Sequence, residues 1–270
     1  FYYQEIIPKK LENIVFSNQN NEHINFQKYF PIFIVGLPRS GSTLVETLLS
    51  DNEKIKGLGE NSVINMAVLN QVSNKIFQKN FDKKNFEFLI DCSELKQFVL
   101  KKFSNLMEFN ENIRIVDKTL ENFFNIDIIL KLFPNAKFIH CFRNLNDAVI
   151  AIFQSLLPTL SWTHNLDNIT NYIDDYLKAI NYFKNKHPDK IIDVKLENLT
   201  DNNEKISKKI FNFCNLDWNE KSLNFNKNKN LQIKTTSNVQ LRGKVKNYDY
   251  DKYSKYKFIL NEYKKKYKWL

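Results

Sequence analysis

A short apolar strand followed by a glycine-containing loop and a helix constrains the fold of this 270-residue chain more than any other feature. Residues 31–35 are continuously apolar, which is typical of a strand buried on both faces of a parallel sheet. Residues 36–41 (Gly-Leu-Pro-Arg-Ser-Gly) form the predicted loop, and apolar residues recur at helical spacing over residues 42–50. This order predicts a βα unit that binds phosphate through backbone N–H groups at a helix N-terminus.

Further strands alternate with helical segments along the chain. We expect strands at residues 113–116, 137–141 and 191–196, with helices between them, and mostly helix over residues 60–108. The Lys- and Tyr-rich end, from Tyr250 onward, is also predicted to be helical. The fold class is therefore α/β, with a P-loop-type, mostly parallel sheet flanked by helices.

The α/β domain is predicted to occupy residues 31–270, after a partly helical lead-in at residues 1–30. Because residue 1 is Phe rather than Met, we expect the lead-in to end a longer N-terminal region, such as a repeat region. No apolar run approaches the ~18 residues that a membrane span needs. Three widely spaced cysteines predict reduced thiols in a cytoplasmic compartment, and an upstream signal or anchor stays open.

The formal net charge of +10 does not by itself indicate nucleic-acid binding. Only four of the forty basic residues are Arg, whereas base recognition depends on the planar Arg fork. The charge is compatible with an anionic small molecule, and no nucleic-acid partner is expected. The cysteine spacing gives no metal-binding pattern either.

The loop has the glycine spacing of a Walker P-loop but lacks its lysine. Ser42 stands where that lysine would contact the β- and γ-phosphates of a nucleotide. The loop is therefore predicted to hold an anion without supporting ATP or GTP hydrolysis. Two alternatives are kept: a P-loop kinase or nucleotidase with Asp117 as its acidic residue, and a catalytically inactive nucleotide-binding module.

Five segments, in order along the chain, resemble motifs of the sulfotransferases that use 3′-phosphoadenosine 5′-phosphosulfate (PAPS). They are the loop at residues 36–43, Gly59-Glu60, Asp117-Lys118 with Asn122-Phe123, the strand that leads into Arg143, and residues 236–242. Within that superfamily the chain looks most similar to bacterial sulfotransferases associated with tetratricopeptide repeats and to tyrosylprotein sulfotransferases. The resemblance implies transfer of a sulfuryl group to a hydroxyl acceptor, without a metal ion and with release of 3′-phosphoadenosine 5′-phosphate (PAP). The acceptor classes left open are peptide tyrosine, glycans and small molecules.

The resemblance also assigns residues to the two ends of the nucleotide. The residues expected to hold the 5′-phosphosulfate are Arg39, Ser40, Gly41, Ser42 and Thr43. Arg143 is expected to bind the 3′-phosphate with its planar fork, and Ser237 and Arg242 to close a flap over the nucleotide. Ala151 stands where the family has a Ser ligand of the 3′-phosphate, which leaves Arg143 as the main anchor.

Three residues are expected to act on the reacting groups. Glu60 is the predicted general base for the acceptor hydroxyl. Lys118 is expected to neutralise charge on the leaving phosphate, which the Ser237 hydroxyl also reaches. Simpler interpretations exist: Glu60 as a carboxylate at a helix N-terminus, Lys118 as a solvated lysine, and Arg143 as the partner of Asp147 in a surface ion pair.

Overall fold

The structure is a computed structural model, and it describes residues 14–17, 29–76, 88–106, 113–220, 222–223 and 245–270. Its strands are β1 (Ile14–Ser17), β2 (Ile32–Gly36), β3 (Ile55–Gly59), β4 (Phe88–Asp91), β5 (Arg114–Asp117), β6 (Lys137–Phe142) and β7 (Ile191–Lys195). Five of them form one parallel sheet in the order β3-β5-β2-β6-β7, and β1 pairs with β4 in a separate parallel sheet. Because the five strands are parallel, their carboxyl ends meet at one edge of the sheet, and β2 lies at its topological switch point.

The helices among the described residues lie mostly between the strands, as the alternation in the sequence predicts. They are α1 (Ser42–Ser50), α2 (Val63–Ile76), α3 (Cys92–Leu106), α4 (Ile126–Leu132), α5 (Leu145–Ser155), α6 (Leu166–Lys186), α7 (Leu196–Asp201) and α8 (Asn203–Phe213). Short 3₁₀ segments occur at Leu120–Asn125, Ser161–His164, Ser254–Leu260 and Tyr263–Lys265. No helix within these ranges has both the length and the apolar character needed to cross a membrane.

Strand β2 is buried on both faces, as its uninterrupted apolar sequence predicts. Phe33 and Val35 belong to one hydrophobic core cluster, and Ile32 and Ile34 belong to a second. Since successive side chains of a strand point to opposite faces, the two clusters lie on the two sides of the sheet. The prediction of a parallel sheet covered by helices on both faces is therefore confirmed.

One expectation of secondary structure was wrong, and two others were incomplete. Residues 88–91 form β4 within a region predicted to be helical, and residues 14–17 form β1 within the predicted partly helical lead-in. Each strand is stabilised by its partner about 70 residues away in the chain, and local periodicity does not report such pairing. The segment after Tyr250 forms short 3₁₀ turns rather than a helix, because only isolated side chains such as Tyr253 and Leu260 are buried there.

A polar network fastens α6 to the β6–β7 pair. His140 Nδ1 lies 2.7 Å from Asp193 Oδ1, while Lys184 pairs with the other carboxylate oxygen and the Tyr176 hydroxyl contacts His140 Nε2. Burial lowers the pKa of His140. Burial alone would raise the pKa of Asp193, but its hydrogen bonds with His140 and Lys184 bring that pKa down to about 2. The network therefore holds its carboxylate ionised next to a neutral imidazole.

Candidate active site

The loop between β2 and α1 requires glycine at two of its positions. Gly36 has a φ of +140°, and a Cβ atom there would lie 2.1 Å from the Cys141 carbonyl oxygen. Gly41 has a φ of +85°, and its Cβ would lie 2.7 Å from Leu196 Cδ1. Both positions lie in the left-handed region that favours glycine, so the loop packs closely against β6 and α7.

The loop also offers polar groups of the kind that hold an anion. Ser40 is 1 % exposed, and its hydroxyl has no hydrogen-bond partner among the described residues. Within the residues that the structure describes, no side chain caps α1 at Gly41, and the first turn of α1 contains no acidic residue. Because buried hydroxyls are nearly always hydrogen-bonded and helix N-termini attract negative charge, this loop fits a phosphate or sulfate group.

Arg143, just beyond the carboxyl end of β6, is buried against the loop. Its Nη1 donates to the Arg39 carbonyl oxygen at 3.1 Å, and its Nη2 donates to the Tyr248 hydroxyl. Its Nε, also buried, has no partner among the described residues. The ion pair with Asp147, which was the simpler interpretation of Arg143, is long, with 4.0 Å between Nη2 and Oδ2. Arg143 therefore keeps N–H donors for an anionic ligand.

Two guanidinium groups lie close together at this edge of the sheet. Burial lowers the pKa of Arg39, and the neighbouring Arg143 charge lowers it further, against an opposing effect of Tyr253. A guanidinium nevertheless stays protonated at neutral pH. Two cations at this edge favour a ligand that carries more than one negative charge.

Lys118 follows β5 and contacts two carboxylates. It is 0 % exposed, and its Nζ lies 2.6 Å from Glu60 Oε1 and 3.8 Å from Glu46 Oε2 on α1. Burial raises the pKa of Glu46, although the Lys118 charge opposes the shift. The Glu60 side chain is 57 % exposed, so a second molecule can reach it. The arrangement places an accessible carboxylate beside a buried ammonium group.

The ends of β3 and β5 hold Glu60 in this position. The Lys118 backbone N–H donates to the Gly59 carbonyl oxygen at 3.0 Å. Thr119 Oγ1 accepts hydrogen bonds of 3.2 Å from the backbone N–H groups of Asn61 and Ser62. The fully buried Asp117, whose pKa is raised by burial, accepts a bond of 2.7 Å from the Thr119 N–H. Asp117 thus orders the strand end that carries Lys118.

The structure brings the predicted residues together in two groups. Arg143 contacts the loop that contains Arg39 to Thr43, and Lys118 joins Glu60 to α1, the helix that this loop begins. Ser237 and Arg242 lie outside the described residues. Lys118 is not a solvated lysine, and Glu60 is not in the first turn of α2, which begins at Val63.

Sequence reasoning missed two residues of this arrangement. Glu46 lies one helical turn beyond Ser42, and its position in the first part of α1 was a usable signal. Tyr248 reaches Arg143 from 105 positions further along the chain, and nothing in its local sequence signals that contact.

Comparison with known proteins places the chain among sulfotransferases. A model of the sulfotransferase family matches residues 31–220. An uncharacterized protein of Aquifex aeolicus is 28% identical over 240 residues, which are 85% of this chain and 31% of that protein. The chain thus spans about a third of the length of this curated relative.

Two solved structures share the fold. The sulfotransferase domain from the Synechococcus PCC 7002 olefin synthase is 17% identical, with a TM-score of 0.58 and coverage of 83% of this chain and 86% of that one. Sulfotransferase STF9 from Mycobacterium avium is 12% identical, with a TM-score of 0.50 and coverage of 88% and 77%. The expected P-loop-type sulfotransferase fold is confirmed, and since the family model covers most of the chain, this protein belongs to the sulfotransferase family.

Proposed function

We propose that this chain transfers the sulfuryl group of PAPS to a hydroxyl acceptor, with Glu60 as the general base. The observation that carries the proposal is the contact of 2.6 Å between the buried Lys118 ammonium and the accessible Glu60 carboxylate. A buried cation beside an accessible base suits the removal of a proton from an acceptor while negative charge grows on a phosphate.

The two ends of the nucleotide are assigned to the two groups of residues. Residues 39–43 hold the 5′-phosphosulfate through backbone N–H groups, the Arg39 guanidinium and the Ser40 hydroxyl, which has no partner in the described part of the chain. Arg143 binds the 3′-phosphate through the N–H donors that it does not use in its hydrogen bonds to the Arg39 carbonyl oxygen and the Tyr248 hydroxyl. A planar guanidinium suits a phosphate because it donates two parallel hydrogen bonds.

PAPS supplies the sulfuryl group, and PAP is the product. Glu60 accepts the proton of the acceptor hydroxyl as the acceptor oxygen forms its bond to sulfur. The bond from sulfur to the 5′-phosphate oxygen breaks, and its electron pair leaves with PAP. The Lys118 ammonium moves from Glu60 to the leaving phosphate and stabilises the negative charge that develops there. Glu60 Oε1 then has no contact with Lys118 and can accept the proton. Glu46, 3.8 Å from Nζ, keeps Lys118 near a second carboxylate during this change.

The remaining assignments follow the resemblance to PAPS-dependent sulfotransferases. We assign Ser237 and Arg242 to a flap over the nucleotide, and residues 31–270 to the catalytic domain. Peptide tyrosine, glycans and small molecules are the candidate acceptors, as in the relatives that the sequence resembles. The similarity to repeat-associated and tyrosylprotein sulfotransferases stays a prediction.

Ligand binding tests the nucleotide assignment. We expect PAP to stabilise the protein against heat without Mg²⁺, by about 2.7 kcal/mol at 100 times its dissociation constant. Adenosine 5′-phosphate should stabilise it less. Arg143→Ala should weaken PAP about tenfold or more, because one charge-assisted contact contributes about 1.5–3 kcal/mol. Stabilisation by ATP only with Mg²⁺ would instead favour a kinase or nucleotidase.

Transfer of labelled sulfate from PAPS to a panel of phenols, glycans and tyrosine peptides tests the reaction. Glu60→Gln should lower kcat about 100-fold or more while leaving PAP affinity nearly unchanged. Glu53→Gln is a matched control, because Glu53 is an exposed glutamate in the turn before β3. Binding of PAP without transfer to any acceptor would indicate an inactive nucleotide-binding module.

A further inference from the structure

The Tyr248 hydroxyl lies between the guanidinium of Arg143 and the carboxylate of Asp147. It accepts a hydrogen bond from Arg143 Nη2 and donates one of 2.7 Å to Asp147 Oδ2. Burial and the bond to Asp147 raise the pKa of Tyr248, so the hydroxyl keeps its proton in the neutral range. Tyr248 is therefore a neutral bridge between two opposite charges.

Without this bridge, Asp147 would be the natural partner of Arg143. Asp147 lies in the first turn of α5, four residues after Arg143, and both side chains are buried. Yet Nη2 and Oδ2 are 4.0 Å apart, beyond hydrogen-bond distance. Lys257 Nζ, 3.5 Å from Asp147 Oδ1, gives the carboxylate another cation. The Tyr248 hydroxyl and the Lys257 ammonium are thus both closer to the Asp147 carboxylate than Arg143 Nη2 is.

The backbone around Tyr248 is fixed by contacts outside this cluster. The Tyr248 N–H donates to Asp201 Oδ1 and the Tyr250 hydroxyl donates to Asp201 Oδ2, both at 2.8 Å. Asp201 ends α7, so the segment is anchored to the body of the domain. The position of the Tyr248 hydroxyl does not depend on its bonds to Arg143 and Asp147 alone.

Ala151 occupies the position at which the family has a serine that helps Arg143 bind the 3′-phosphate. Ala151 offers no hydroxyl, and the Ser155 hydroxyl, one turn later on α5, donates to the Ala151 carbonyl oxygen at 2.7 Å. The affinity of the site for a phosphate therefore depends on how many Arg143 donors the protein leaves free. A direct ion pair with Asp147 would occupy them and cancel their charge.

We propose that Tyr248 is a positioning residue that keeps Asp147 from pairing with Arg143, and so preserves the affinity of the site for a 3′-phosphate. The inference rests on the proposed function, because it takes Arg143 as the 3′-phosphate ligand. In the absence of the Tyr248 hydroxyl, Asp147 would close on Arg143 and compete with the nucleotide.

Calorimetric titration with PAP and with adenosine 5′-phosphate, which lacks the 3′-phosphate, tests this role. Tyr248→Phe should weaken PAP about tenfold and change adenosine 5′-phosphate less than about twofold. Adding Asp147→Asn to Tyr248→Phe should restore most of the PAP affinity, because the competing charge is gone. Tyr267→Phe is the control: it also removes the hydroxyl of a buried tyrosine, but that hydroxyl contacts Asn171, so PAP binding should stay unchanged.

Asp147→Asn alone decides the matter should Tyr248→Phe not fold. The proposal expects equal or tighter PAP binding, whereas weaker binding would show that Asp147 orients Arg143 and would overturn it. Tyr248→Phe with the PAP affinity of the unmodified protein would overturn it as well, as would a double variant without recovery. If Arg143→Ala leaves PAP affinity unchanged, the 3′-phosphate assignment itself fails. If Arg143→Ala weakens PAP but Tyr248→Phe does not, only the inference fails.

Discussion

The Ser40 hydroxyl should make the protein less stable and its nucleotide site tighter. It is 1 % exposed and has no hydrogen-bond partner among the described residues. A buried polar group without a partner costs about 1–3 kcal/mol of stability. Ser40→Ala removes that group and leaves almost no cavity, so the free energy of unfolding should rise by about 1 kcal/mol. For a domain of this size, Tm should then rise by about 2–4 °C.

The same substitution should weaken the nucleotide. A hydrogen bond to a charged group contributes about 1.5–3 kcal/mol, so the dissociation constant for PAP should rise about tenfold or more. Differential scanning fluorimetry without ligand measures Tm, and calorimetric titration measures the dissociation constant for PAP. Ser40→Ala should therefore raise Tm and lower PAP affinity, whereas a substitution that merely disrupted the loop would lower both.

Ser207→Ala provides a matched control. Ser207 is 0 % exposed, but its hydroxyl donates to Asn203 Oδ1 at 3.0 Å. Removing that bond should lower stability by about 1 kcal/mol and leave PAP binding unchanged. If Ser40→Ala lowers Tm as Ser207→Ala does, the Ser40 hydroxyl has a partner in the ligand-free protein and the reasoning is refuted. Unchanged PAP affinity in Ser40→Ala would refute it equally.

Three further predictions concern the loop, the lysine cluster and acid stability. Gly36→Ala places a Cβ 2.1 Å from the Cys141 carbonyl oxygen, so soluble expression and chemical denaturation should show a loss of more than about 4 kcal/mol. Glu46→Gln removes the second carboxylate near Lys118 Nζ, so kcat should fall by less than about tenfold with PAP affinity nearly unchanged, whereas an unchanged kcat would contradict the part proposed for Glu46. The pKa of Asp193 is lowered to about 2 in the folded protein, and that of His140 is lowered too. Each group therefore stabilises the fold at pH values above its pKa in the unfolded chain, and this stabilisation is lost as the pH falls through its pKa in the folded protein. Asp193→Asn should flatten the acid limb of urea-measured stability between about pH 5 and 2, by about 1 kcal/mol because the carboxylate is partly solvated.

The central strands could be predicted from the sequence because a strand that is buried on both faces consists of a short run of apolar residues. Strands β2, β5, β6 and β7 carry short apolar runs, and each lies within one residue of its predicted bounds. Strand β3 has no such run, since two of its five residues are glycine and its middle is exposed at the edge of the sheet. The pairing of β1 with β4 depends on a contact between distant segments, which periodicity cannot report.

The site was predictable to the extent that its residues follow strand ends. Arg143 and Lys118 come directly after β6 and β5, so the topology alone brings them to the edge where the loop lies. The complete burial of Lys118 could not be predicted, because its neighbours in the sequence do not distinguish it from a solvated lysine that follows a strand. Tyr248 was missed because its role comes from side chains on another element, Arg143 and Asp147.

The bond from Arg143 Nη1 to the Arg39 carbonyl oxygen has a thermodynamic consequence for ligand fragments. It links the residue assigned to one end of the nucleotide to the backbone of the loop assigned to the other. An anion that orders Arg143 therefore also orders the loop, and by linkage the reverse holds to the same degree. Inorganic sulfate should bind more tightly when adenosine 3′-phosphate is present, and adenosine 3′-phosphate should bind more tightly when sulfate is present. The intact nucleotide should accordingly bind more tightly than the affinities measured separately for these two fragments indicate.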